Sequence, residues 1–212
     1  MCGILFQFLK KAVNKKNFEN SLLLQKHRGP DHTGIKQINN HMIFGHVRLS
    51  TIDLLTRSNQ PMINEETSNL IIFNGEIYNY VELRKRLQEK GLKFKTEGDT
   101  EVLLKSLEVN GINAIKYFNG AWSFLFYDVK KNKIIISRDR FGKNPLYFFK
   151  DNQNLIVSSE VKSIFHLWNR RVWEYPTGNL KNRFLPSSTM PQRTRPARQK
   201  PRSLSSLLPK AT

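Results

Sequence analysis

The chain starts Met1-Cys2-Gly3-Ile4-Leu5-Phe6-Gln7-Phe8, an apolar stretch typical of a buried strand. Cys2 is its only cysteine. If Met1 is removed, Cys2 carries both a thiol and a free α-amine, whose pKa of about 7.7–8.0 suits a base for its own side chain. A lone cysteine is more often a small buried hydrophobe. The rest of the sequence therefore has to decide between a nucleophile and a core residue.

Bulk composition argues against several classes of protein. A single cysteine permits no internal disulfide and no cysteine-based zinc cluster, and it suits a reducing compartment, so we expect a cytoplasmic protein. The start lacks the charged-then-apolar order of a signal peptide. The longest apolar run, residues 121–127, is much shorter than the ~18 residues that span a membrane. We expect no membrane attachment, and we find no metal-ligand spacing.

Half of the net charge of +18 lies in the last 44 residues, where ten Lys or Arg face one acidic residue. Six of the nine prolines fall there as well. Such a segment buries too little apolar surface to offset its ordering entropy. We therefore predict a folded domain over residues 2–168 and a disordered basic tail over residues 169–212. Lys and Arg can neutralise phosphates, but without interleaved aromatics for base stacking we do not expect nucleic-acid binding.

Up to about Trp168, strand-like runs outnumber helical patterns and often follow one another directly, which predicts an α+β fold with largely antiparallel sheets. The predicted strands cover residues 3–8, 42–47, 70–73, 121–128, 133–138, 146–149 and 155–158. The predicted helices cover residues 18–27, 80–90, 100–109 and 160–168, with Gly91 as a C-cap of the second.

Several short motifs in the first hundred residues carry polar side chains next to strands or helices. Each has a simple structural explanation when taken alone. Asn74-Gly75 is a strong turn dipeptide, Asp99 suits the N-cap of a helix that starts at Thr100, and a single Arg48 is usually a surface residue. No single motif indicates a function.

The ordered set is more specific than its members. It consists of Cys2-Gly3-Ile4, residues 27–31, residues 45–52, Asn74-Gly75-Glu76 and Gly98-Asp99. Together these closely resemble the class II glutamine amidotransferase domain of glutamine-dependent asparagine synthetases. The resemblance continues through residues 119–122, 138–147 and 158–162, so that it covers about residues 2–165. It implies an N-terminal-nucleophile hydrolase fold, which is a four-layer αββα sandwich of two mostly antiparallel sheets.

The resemblance also implies an enzyme that hydrolyses the side-chain amide of glutamine to glutamate and ammonia. Cys2 would be the nucleophile and form a thioester, with its α-amine moving the proton. Asn74, through its amide, and Gly75, through its backbone N–H, would form the oxyanion hole. Glycine suits that position because it allows close approach of the backbone to the substrate.

Substrate binding is implied by the same matching positions. Arg48 would bind the α-carboxylate, since a planar guanidinium can do so with two hydrogen bonds. Asp99, helped by Glu76, would bind the α-ammonium. The segment that follows Arg48 would complete the pocket with Leu49, Ser50, Thr51 and Ile52.

Complete asparagine synthetases carry a second, ATP-dependent domain whose Ser-Gly-Gly-containing loop is absent here. We therefore expect no cofactor for the glutaminase part, with ATP and Mg²⁺ belonging to the missing domain. The expected partners are glutamine and a separate synthetase domain or chain, and a homodimer stays open. Two alternatives also stay open: a non-catalytic product of an interrupted reading frame, and a binding module built on the basic tail.

Overall fold

A computed structural model describes the backbone of residues 1–172 and the side chains of residues 1–168. The strands in this range are β1 (Gly3–Leu9), β2 (His32–Asn39), β3 (Met42–Arg48), β4 (Met62–Ile63), β5 (Leu70–Ile77), β6 (Gly120–Asp128), β7 (Lys133–Arg138), β8 (Tyr147–Lys150) and β9 (Asn154–Ser158). The helices are α1 (Lys15–Leu23), α2 (Tyr80–Gln88), α3 (Asp99–Asn110) and α4 (Val161–Val172). Short 3₁₀ segments cover Lys26–Arg28, Thr56–Ser58 and Gly111–Tyr117.

The strands form two antiparallel sheets. One has the order β2-β3-β1-β9-β8 and the other has the order β4-β5-β6-β7. β1 therefore lies in the middle of its sheet, hydrogen-bonded to β3 on one side and to β9 on the other. This topology confirms the predicted α+β class and places the first residues of the chain at the centre of a sheet.

The two sheets pack face to face through alternate residues of their strands. One apolar cluster joins Ile4, Phe6 and Phe44 of the first sheet to Ile72 and Leu125 of the second. All five side chains are fully buried. Because side chains alternate across a strand, positions 2 and 48 share the parity of this inner face, and so does position 74.

Helices cover both outer faces. Leu5, Ile43 and Ile156 face α1 and α4 through Phe18 and Ile164. A separate cluster joins β5 and β6 to α2 and α3, with members Ile71, Phe73, Trp122, Phe124, Leu83, Leu87, Val102 and Leu107. Helix, sheet, sheet and helix thus follow one another, and the predicted αββα sandwich is confirmed.

Two strands, β2 and β4, were not predicted, and each has a physical reason. β2 carries two large apolar residues in His32–Asn39 and is only half-buried, because it forms the edge of its sheet. β4 is two residues long. The turn interpretation of Asn74-Gly75 is wrong, since both residues continue β5, which ends at Ile77 rather than at residue 73.

Helix ends also differ from the predictions. α3 begins at Asp99, its N-cap is Gly98, and no side chain makes the capping hydrogen bond, so neither Asp99 nor Thr100 is the cap. The C-cap of α2 is Glu89, and Gly91 follows with a φ of +85°. α4 runs to Val172, beyond the predicted end at residue 168. The rest of the predicted tail lies outside the described residues.

Among residues 1–172, the helices are too short or too polar to cross a membrane.

Candidate active site

Cys2 lies at the start of β1, at one end of the space between the sheets. The N–H of Leu49 donates to Cys2 Sγ at 3.4 Å, and Sγ lies 3.6 Å from the carbonyl oxygen of Leu49. The side chain is half-buried rather than sealed in the core. Met1, in contrast, is 61% exposed. The first peptide bond therefore leads from an accessible residue to a thiol that faces the inner side of the sandwich.

Several charged and polar groups lie close enough to Cys2 to change the pKa of its thiol. Burial raises the pKa of the thiol. The Leu49 N–H and the positive charges of the chain N-terminus and Arg48 act to lower that pKa, whereas the charge of Asp99 adds to the rise. A thiol with a raised pKa is protonated at neutral pH, so it needs a base to become a nucleophile.

The predicted motif at residues 27–31 fixes the backbone of Cys2. Arg28 Nε donates to the carbonyl oxygen of Cys2 at 2.9 Å, and Glu160 lies 3.5 Å from Arg28 and 2.8 Å from His27. A Cβ on Gly29 would lie 2.4 Å from the backbone of Val47. This part of the motif therefore holds the backbone of Cys2 in place.

Asn74 is a buried amide whose Nδ2 has no hydrogen-bond partner in the described part of the chain. It lies on β5 with the parity of the inner face, while its backbone oxygen accepts a hydrogen bond from Ser123 at 3.4 Å. An unpaired buried donor costs about 1–3 kcal/mol. Such a group is well suited to bind an oxygen of a ligand.

Gly75 is required by close packing. A Cβ at this position would lie 2.2 Å from the carbonyl oxygen of Ala121 and 2.7 Å from Cα of Trp122, and neither backbone atom can move aside. β5 and β6 are adjacent here, with Gly75 opposite Trp122. Any larger residue would push the two strands apart and displace Asn74.

Asp99 connects the start of α3 to the end of β5. Its Oδ2 accepts the N–H of Ile77 at 3.0 Å. Burial raises the pKa of Asp99 to about 6; its backbone partners, including Ile77, lower the pKa, whereas the nearby charge of Glu76 raises it. Glu76 itself is exposed. The two predicted ammonium ligands thus lie together, one buried and one at the surface.

Arg48 is buried at the end of β3, and its guanidinium holds the loop that follows. Nη1 donates to the carbonyl of Leu55 at 3.1 Å and to Oδ1 of Asn59 at 2.8 Å. Nη2 donates to the carbonyls of Ile52 at 3.3 Å and Asp53 at 2.5 Å. The two terminal nitrogens therefore make four bonds within the protein, which the sequence did not lead us to expect.

The remaining predicted pocket residues surround Arg48 to different degrees. Leu49 contacts Cys2, and Ile52 contacts Arg48 through its carbonyl. The N–H of Ser50 donates to Asp31 Oδ2 at 2.7 Å, and Thr51 is exposed. Leu49, Ser50 and Ile52 are half-buried.

Sequence reasoning missed Asp53, which anchors the same loop. Its Oδ2 accepts the N–H of Glu97 at 2.8 Å and that of Arg57 Nε at 3.0 Å. Burial acts to raise the pKa of Asp53, but its hydrogen bonds, with Glu97 foremost, outweigh burial and lower the pKa to about 2. The available signal was a carboxylate in a short polar loop, which is too common to be specific.

His46 lies within the motif of residues 45–52, for which the resemblance implied no role at this position. It is fully buried between the sheets, where its Nε2 lies 3.0 Å from the carbonyl oxygen of Phe73 on β5. Burial lowers the pKa of His46 to about 3, while the bond to Phe73 acts in the other direction. The imidazole is therefore neutral and donates from Nε2 to β5. This bond joins the two sheets two residues before Arg48 on β3.

Comparison with known proteins shows which family the chain matches. A model of the glutamine amidotransferase domain matches residues 1–192. Asparagine synthetase (glutamine-hydrolyzing) 1 of Bacillus subtilis is 38% identical over 169 residues, which cover 77% of this chain and 26% of that protein. Asparagine synthetase B (glutamine-hydrolyzing) of Escherichia coli is 35% identical over 184 residues, which cover 84% and 32%. The chain spans about a third of the length of these relatives.

Solved structures agree with the fold. The glutamine phosphoribosylpyrophosphate amidotransferase from B. subtilis, solved with ADP and GMP, superposes with a TM-score of 0.67 at 21% identity, over 78% of this chain and 43% of that one. The N-terminal-nucleophile hydrolase fold implied by the sequence resemblance is thereby supported. With its fold and most of its length matched, the chain belongs to the glutamine amidotransferase domain family.

Proposed function

We propose that the chain hydrolyses the side-chain amide of glutamine to glutamate and ammonia, with Cys2 as the nucleophile. The observation that carries this proposal is the buried, unpartnered amide of Asn74 on the inner face of the sandwich, to which Cys2 also belongs. A half-buried thiol and a vacant hydrogen-bond donor at one end of the two sheets suit an acyl transfer.

The proposed reaction starts after Met1 has been removed. The α-amine of Cys2 takes the proton of the thiol, and the sulfur attacks the amide carbon of glutamine. The negative charge on the former carbonyl oxygen is stabilised by Asn74 Nδ2 and the backbone N–H of Gly75. The C–N bond then breaks, and the proton on the α-amine passes to the leaving ammonia. Water attacks the resulting thioester, which releases glutamate and restores the thiol.

In this proposal the two ends of glutamine are held by opposite charges. Asp99, with Glu76 at the rim, binds the α-ammonium, and Arg48 binds the α-carboxylate. Since the terminal nitrogens of Arg48 are already bonded to the 52–59 loop, the carboxylate has to replace carbonyls of that loop. Leu49, Ser50, Thr51 and Ile52 would line the pocket as this exchange occurs.

We further propose that the ammonia serves an ATP-dependent synthesis of asparagine carried out by another domain or chain. The support is that the relatives are glutamine-hydrolyzing asparagine synthetases, of which the matched segment covers 26% and 32%. No cofactor is needed for the glutaminase step as written. A cytoplasmic location and a homodimer stay predictions.

The test uses the single cysteine. Purified chain, with loss of Met1 verified by intact mass, is expected to release glutamate from glutamine and to take up one equivalent of a diazoketone analogue of glutamine. Cys2→Ala should abolish both, whereas Asp128→Ala, at a carboxylate that pairs with Lys131 in the turn between β6 and β7, should retain both. Glutamate release that survives Cys2→Ala would remove Cys2 from the mechanism. A processed chain that neither reacts nor binds glutamine would support the non-catalytic alternative.

A further inference from the structure

A cavity lies away from the candidate active site, in the outer helical layer of the four-stranded sheet. It has a volume of about 380 Å³, within the size range of small-molecule sites, and it is enclosed by α2, the second half of α3 and the Gly111–Tyr117 segment. Leu83, Leu87, Ala114 and Phe118 supply its apolar lining, and charged or polar side chains supply much of the rest. None of the residues discussed for the active site lines this cavity.

Ser106 supplies a polar group inside the cavity. Its side chain is 3% exposed, it lines the cavity, and its hydroxyl has no hydrogen-bond partner among the described residues. A serine within a helix commonly bonds to the carbonyl one turn earlier, and this one does not. An unpaired buried hydroxyl is unfavourable by about 1–3 kcal/mol, so a polar ligand atom would find a donor and acceptor ready at this point.

The mouth of the cavity is charged. Arg86 and Lys90 line it, both are exposed, and neither makes an ion pair within residues 1–168. Glu89 is the single acidic lining residue and is also without an ion pair in that range. The formal charge of the lining residues is therefore positive, and the two cations stand above an apolar interior.

We propose that this cavity binds a small amphiphilic anion, such as a medium-chain carboxylate, with its apolar part between α2 and α3. The carboxylate would meet Arg86, which can donate two parallel hydrogen bonds, and Lys90. Since the exposed charges are screened by salt, we expect a dissociation constant of about 0.1–1 mM at low ionic strength.

The test is a titration of the full chain carrying Cys2→Ala, so that the result does not depend on glutamine hydrolysis. Octanoate, 1-octanol and octylammonium are compared by amide chemical shifts in nitrogen-15 spectra. Octanoate is expected to saturate, with shifts in α2 and the second half of α3, and to bind about tenfold more tightly than 1-octanol, with octylammonium weakest.

Variants then assign the contacts. Arg86→Gln combined with Lys90→Gln should weaken octanoate about tenfold and leave 1-octanol unchanged. Lys85→Gln is the matched control, because Lys85 is an exposed cation on the same helix that does not line the cavity. Ala114→Leu fills the interior and should abolish binding of all three probes. Equal affinity for octanoate and octylammonium, an equal loss in Lys85→Gln, or no saturable binding of octanoate would each overturn the proposal.

Discussion

Asp99 and Ile77 are joined by a hydrogen bond of 3.0 Å from the N–H of Ile77 to the buried carboxylate. This bond fixes the first residue of α3 against the last residue of β5, directly after the Asn74-Gly75-Glu76 segment. It leaves Asp99 in surroundings that raise its pKa to about 6, chiefly by burial. In the proposed reaction, substrate recognition and pH dependence are thereby coupled in one side chain.

The pH profile of glutamine hydrolysis is expected to report on Asp99. Only the ionised carboxylate attracts the α-ammonium, so kcat/KM should rise from pH 5 to pH 7 with a midpoint near 6. Asp99→Asn should remove this limb and raise KM by about 100-fold. Glu76→Gln should lower the midpoint, because the charge of Glu76 helps to raise the pKa of Asp99. An acidic limb that persists in Asp99→Asn, or a midpoint that does not move in Glu76→Gln, would contradict the assignment.

The same carboxylate should reduce stability at neutral pH. The pKa of Asp99 is higher in the folded chain than its usual 3.8, so the folded chain binds its proton more tightly, and this group's contribution falls as the pH rises from about 4 to 6. Asp99→Asn should therefore increase the free energy of unfolding at pH 7.5 by about 1–3 kcal/mol. Urea unfolding measures this gain, which comes with the loss of substrate binding.

His46 acts in the opposite direction below pH 6.5. Its folded pKa of about 3 lies below the usual 6.5, so the unfolded chain binds protons first, and stability is lost as the pH falls. From pH 7.5 to 5 this loss is about 2 kcal/mol, whereas Asp99 returns about 1 kcal/mol over the same interval. Asp99→Asn should thus show a steeper loss than the wild-type chain. Parallel curves for the two proteins would argue against the opposing pair.

Two buried asparagines offer a contrast between function and stability. Asn74 has an unpartnered amide, so Asn74→Ala should lower kcat/KM by about 10²–10³-fold while the free energy of unfolding changes by less than about 1 kcal/mol. Asn69 is also buried, but it accepts the N–H of Val129 at 2.9 Å and donates to Glu108 at 3.0 Å. Asn69→Ala should cost about 1–3 kcal/mol of stability with kcat/KM unchanged. If Asn74→Ala lowered stability and left kcat/KM unchanged, Asn74 would have no part in the oxyanion hole.

Asp53 is expected to control access of glutamine to Arg48. Its bond to Glu97 holds the loop whose carbonyls occupy the guanidinium. Asp53→Ala frees that loop, so the form in which its carbonyls occupy Arg48 becomes rarer, and KM for glutamine should fall about tenfold with kcat little changed. Asp128→Ala is the control, because Asp128 pairs with Lys131 in the turn between β6 and β7. Initial-rate kinetics on both variants measure KM, and an equal change in Asp128→Ala would show that the loop is not its cause.

Sequence patterns predicted the fold where each strand buries at least one face. β1 and β3 are continuous apolar runs, and the structure reproduces them to within one residue at their ends. β2 could not be predicted, because an edge strand with two isoleucines lacks the alternation that marks a buried face. Asn74-Gly75 misled for a related reason: the dipeptide favours a turn locally, but pairing with β6 keeps it extended.

Predictions about the site came from ordered motifs rather than from any local pattern. Cys2 contacts Leu49, and Asp99 reaches Ile77 next to Glu76, so the structure brings residues of separate motifs together. The bonds of Arg48 to the 52–59 loop could not be foreseen, since they depend on how the loop folds back. Asp53 was missed because its partner, Glu97, is distant in sequence and becomes a neighbour only in the folded chain.

The central position of β1 has a practical consequence for anyone who prepares this protein. β1 is flanked on both sides by β3 and β9, so a preceding segment leaves from the end of the strand, where Met1 is exposed. In the proposed mechanism, an affinity tag fused ahead of Cys2 would block the α-amine that has to act as the base. Active material should come from chains tagged at the other terminus, or from fusions whose cleavage leaves Cys2 as the first residue.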